Sequence, residues 1–89
     1  MVISKQNLVV KNALSDFEAR IEKMHVDFTK FSREEIHRMP EWEKLERELL
    51  AFSRKKILDH ELSRQLDRIL YKFQTRKQIW LKWLDERHR

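Results

Sequence analysis

Glu34-x-x-His37 is the pair of side chains spaced for metal chemistry. On a helix, residues three apart share a face, so a carboxylate and an imidazole would point the same way. Carboxylate-bridged di-iron centres on bundle helices use this spacing, but they combine two such pairs with further inward carboxylates. The pair also lies close to Pro40, which distorts a helix. A solvated histidine near a helix start is the plainer reading, and neither a metal nor any other cofactor is expected. The 89 residues contain no cysteine, glycine-rich phosphate loop, nucleophile elbow or HExxH. No catalytic residue is assigned, and the chain is not expected to be an enzyme.

Charge offers a second kind of chemistry. Arg64, Arg68, Lys72 and Arg76 recur at steps of four, which on a helix makes a cationic ridge about 18 Å long. Like charges at that spacing repel mildly, so helix stability does not explain the row. It suits phosphates, with Arg54, Lys55 and Lys56 nearby adding charge. The competing expectation is that the ridge pairs across the fold with Glu41, Glu43, Glu46 and Glu48. The net charge of +5 is placed unevenly, because residues 1–52 carry nine Lys/Arg against ten Asp/Glu and residues 53–89 carry eleven against five. That asymmetry points to an acidic partner, a nucleic acid or self-association.

The elements that must position these groups are helices. With no glycine and one proline, the chain has few tight turns, and its Glu, Lys, Arg and Leu content suits long helices. At 89 residues it is read as a single helical domain spanning 1–89. Ile3, Val10, Leu14, Phe17, Ile21, Met24, Phe28 and Phe31 form a narrow, coiled-coil-like heptad seam that predicts a helix over 4–31. Leu8 and Val26 fall off the seam and are expected at the surface. Ser32 and Glu35 read as a capping box, with Phe31 and Ile36 as its staple, so a second helix is placed over 33–57, kinked near Pro40. Its apolar stripe is Trp42, Leu45, Leu49 and Phe52. Asp59 is a candidate N-cap for a third helix over 60–86, carrying Leu62, Leu66, Ile69, Leu70, Phe73, Trp80 and Leu84. The fold expected is all-α: a three-helix up-down-up bundle, or an elongated helical hairpin with a Pro-kinked middle helix, completed by dimerisation.

The tail QIWLKWLDERHR shows why a partner is expected. Trp80 and Leu84 fall on the core face, while Ile79 and Trp83 lie to one side of it. A slim bundle leaves that flank uncovered, and Trp is a favoured anchor at protein interfaces. Ile79 and Trp83 are therefore the expected protein interface, and the chain reads as a homodimeric adaptor or regulator that also meets another protein. The alternative is a nucleic-acid-binding regulator using Arg64, Arg68, Lys72 and Arg76. The start MVISKQN has no apolar signal core, and nowhere are there about 18 consecutive apolar residues. The expectation is a cytoplasmic protein without membrane insertion.

Overall fold

The computed structural model describes residues 5–87, and among them all regular structure is helical. Helix α1 spans Lys5–Ser32, α2 spans Trp42–Ser53 and α3 spans His60–Arg87. Lys72 meets Glu18, Trp80 meets His25 and Arg87 meets Phe31, an offset of 54 to 56 residues throughout. The two 28-residue helices thus run parallel and level over about 42 Å. Helix α2 runs the other way, since Glu48 meets Arg20 and Phe52 meets Phe17. The arrangement is an up-down-up bundle, 52 × 18 × 17 Å, whose middle helix has only 12 residues.

The α1 seam is buried much as its periodicity predicts. Leu14, Phe17, Ile21 and Phe28 join Leu45, Leu49 and Phe52 of α2 and Leu62, Leu66, Ile69, Phe73 and Trp80 of α3 in one core. Val10 and Met24 border it, Leu8 and Val26 are exposed, and Ile3 lies outside the described residues.

The middle helix differs from the expected 33–57. It begins at Trp42, because Ser32 and Glu35 end α1 rather than start α2. Glu35 N–H bonds the Lys30 carbonyl at 2.9 Å and Glu34 N–H bonds that of Phe31 at 3.1 Å. With Glu34 at φ 63°, this is a Schellman closure. It consumes the Glu35 N–H that a capping box would have given to Ser32, whose own hydroxyl donates to the Thr29 carbonyl at 2.8 Å. Residues 33–41 form a connection that includes the buried Pro40. Trp42 N–H then bonds the Pro40 carbonyl at 3.0 Å across Glu41, whose φ −83° and ψ 64° are those of an inverse γ-turn. At the far end, Arg54 and Lys55 N–H groups bond carbonyls three residues back, which closes α2 at Ser53.

Asp59 caps α3, its Oδ1 accepting the Leu62 N–H at 2.9 Å. Glu34 occupies a left-handed position that glycine adopts without a Cβ penalty. Glu34→Gly is therefore expected to stabilise the protein by about 1 kcal/mol, less a small entropic loss. Chemical denaturation would show it as a raised midpoint with an unchanged slope.

Candidate interaction surface

The cationic ridge divides on α3. Lys72 Nζ lies 3.6 Å from Glu18 and pairs closely with Glu22, and Arg76 reaches Glu22 at 3.5 Å. Arg64 and Arg68 stand exposed and make no ion pair among the described residues. Three of the four acids expected to face the ridge are engaged elsewhere: Glu41 with Arg38, Glu46 with Lys77 and Glu48 with Arg20. The level, parallel course of α1 and α3 brings Glu18 and Glu22 to the ridge, whereas α2 packs on the flank of α3 that carries Lys77. Lys77 Nζ bonds Glu46 at 2.5 Å and sits 5.3 Å from the centre of the Trp42 ring. The hydrogen bond from Lys72 holds the Glu22 carboxyl below its ordinary range, against a smaller opposing effect of burial. These pairs are partly exposed and contribute little stability each, but they neutralise half of the ridge.

Trp80 is fully buried, as its position predicts. Its ring stacks on Phe28 with centroids 5.0 Å apart and meets Phe73 edge-on at 5.9 Å. Its Nε1–H donates to Nδ1 of His25 at 3.1 Å. Trp83 also meets this imidazole, in a tilted arrangement with centroids 5.7 Å apart, and is half-buried against the core. Ile79 is also half-buried. The two expected interface residues therefore differ, since Trp83 has a partner within the chain.

Lys77 fixes the direction of α2 from α3. Ile79, two residues on, is turned about 200° away from it at about 100° per residue. Ile79 and Trp83 thus lie on the side of the α1/α3 pair that α2 does not cover. Val26, one turn beyond Glu22 on α1, shares that side and is 50% exposed. At the same end, Arg87 donates to the Phe31 carbonyl at 2.7 Å and places its guanidinium 4.1 Å from the Phe31 ring centre. The last turn of α1 gains both an acceptor's partner and a favourable charge.

Sequence reasoning singled out Glu34 and His37, yet Glu22-x-x-His25 has the same spacing and lies on a real helix. Glu34 and His37 fall in the non-helical connection, so the shared face their spacing implied is not formed. Glu22 is committed to Lys72 and Arg76, and His25 Nδ1 to Trp80. Among the described residues no three His, Cys, Asp or Glu side chains are grouped to hold a metal ion. The indole N–H of Trp42 is buried without a hydrogen-bond partner.

His25 gives the site a pH dependence. Accepting the Trp80 N–H requires a neutral Nδ1, and burial, followed by the Arg76 charge, holds the imidazole below its ordinary 6.5. Glu22 opposes this more weakly. Between the lowered folded value and 6.5 the unfolded chain binds more protons, so stability rises with pH there. This contribution is complete above 6.5 and is lost as pH falls through the folded value. Thermal unfolding followed from about pH 7.5 to about 5.5 should show the decline. His25→Gln keeps an acceptor for Trp80 and should flatten it.

No family model, curated protein or solved structure matches the chain. None of its helices is long and apolar enough to cross a membrane among the described residues.

Proposed function

We propose that this protein is a helical protein–protein interaction module, an adaptor or regulator, which pairs with a second copy through the α1/α3 face turned away from α2. One observation carries this reading. The third layer of the bundle covers one side only, and the opposite side presents Val26, Ile79 and Trp83 beside an ion-paired strip of Glu18, Glu22, Lys72 and Arg76. A half-buried Trp with aliphatic neighbours inside a polar border has the make-up of an interface centre and rim.

Ile79→Lys tests the face without touching the His25 stack. Sedimentation should show the parent as a dimer and the variant as a monomer, at least tenfold weaker in association, with helicity unchanged by circular dichroism. A monomeric parent at high concentration would sink the reading. The nucleic-acid reading draws on Arg64 and Arg68, whose charges are not neutralised within the described chain. On the ridge itself these two remain of the four that its spacing offered, a smaller footprint, since affinity for duplex nucleic acid grows with each phosphate neutralised. Binding to mixed-sequence DNA or RNA at low salt, lost on reversing both arginines, is the result that would favour it.

A further inference from the structure

The parallel course of α1 and α3 puts Lys5 level with His60, and the α2–α3 connection lies at this same end. Residues 5–11 and 54–64 together hold six cations, Lys5, Lys11, Arg54, Lys55, Lys56 and Arg64, against two carboxylates, Asp59 and Glu61. None of the six forms an ion pair among the described residues, although Lys55 Nζ lies 5.2 Å from the centre of the Phe52 ring. The N-terminal ends of two long helices also point here, and their dipoles add positive potential to that of the side chains.

Leu58 stands in the middle of this charge, 80% exposed. A residue just before an N-cap is often apolar because it staples onto the fourth residue of the helix. Asp59 is the cap, so that fourth residue is Ser63, which offers no apolar partner. Ile57, beside it, packs on the core. The exposure of Leu58 therefore has no local explanation. Leu8 and Val9, also exposed, lie on the part of α1 that reaches this end.

We propose that this end of the bundle is a docking surface for an anionic phospholipid membrane, touched peripherally by the tip. A lipid surface supplies both things the tip calls for. Its headgroups and surface potential attract lysine and arginine, and an apolar layer lies a few Å beneath. A nucleic acid meets only half of the requirement, because its phosphates match the cations but an aliphatic leucine cannot stack on bases as an aromatic ring does. The contact spans nothing, and no helix long and apolar enough to span is present among the described residues.

Co-sedimentation of the full chain with phosphatidylcholine vesicles, with and without phosphatidylserine, tests this. Binding is expected only with phosphatidylserine, and should be lost in about 1 M salt, where the screening length falls to about 3 Å. Changing Arg54, Lys55 and Lys56 together to Ser should weaken it at least tenfold. Leu58→Ser, which leaves every charge in place, should weaken it severalfold. Circular dichroism confirms that both variants are folded. No binding to the acidic vesicles overturns the proposal. So does undiminished binding of Leu58→Ser, or tighter binding to an oligonucleotide than to vesicles that depends on the same three cations. Because Ile79 is at the other end of α3, association and vesicle binding report on separate surfaces.

Discussion

Trp80→Ala is expected to abolish the cooperative thermal transition of this protein. The residue is fully buried, and removing an indole from a core leaves a cavity that typically costs about 3–5 kcal/mol. A domain of this size has a total stability at the lower end of about 5–15 kcal/mol, so the loss takes most of what is available. Two further effects act in the same direction here. Phe28 loses the stack on one face and Phe73 loses its edge contact. His25 loses its donor while remaining half-buried. Trp80→Phe keeps most of the volume and should fold, yet it cannot supply the N–H. Comparing the two variants by circular dichroism would separate packing from the hydrogen bond. A Trp80→Ala protein that melted near the parent temperature would show that the aromatic cluster is not a foundation of the fold.

The second large effect belongs to α2. Twelve residues make too short a helix to persist alone in water, so its order comes from burial. Leu45, Leu49 and Phe52 supply that burial, with Trp42 at its start and Leu49 fully enclosed. Leu49→Ala should cost about 2–5 kcal/mol. Helix α2 is joined to the rest by partly exposed ion pairs, Arg20–Glu48 and Lys77–Glu46, that offer little in compensation. Amide hydrogen exchange would therefore show protection lost first along 42–53, ahead of α1 and α3. Uniform loss across all three helices would mean instead that α2 unfolds only with the whole molecule.

The parts legible in the sequence were those written in period. The steps of three and four through Leu14, Phe17, Ile21 and Phe28 name the buried side of α1, and the same rule puts Trp80 inside and Val26 outside. Asp59 is also readable, since a short acceptor before an apolar repeat is a local device. The segment 33–41 misled for a local reason as well. Ser32 and Glu35 satisfy the pattern of a helix start, while the signal that opposes it is a positive φ at Glu34, and glutamate gives no sign of adopting one. The proposed interaction face was legible only in part. Ile79 and Trp83 could be placed beside the core by angle alone, but the imidazole that Trp83 meets comes from a residue 58 positions earlier. Which acids meet Lys72 and Arg76 depends on how two distant helices are levelled against one another, and single-helix periodicity carries no such information.

An odd number of passes has a consequence for whatever is joined to this domain. The chain enters α1 at one end of a 52 Å body and leaves α3 at the other. Most domains bring their ends close together. Here a label or a neighbouring domain attached at each side would be held apart by the length of the bundle. Joining the ends to make a circular permutant would require about fifteen fully extended residues. The bundle thus holds its two ends at a fixed separation, with direction built into it: one end strongly positive, the other closed by Arg87 over the last turn of α1.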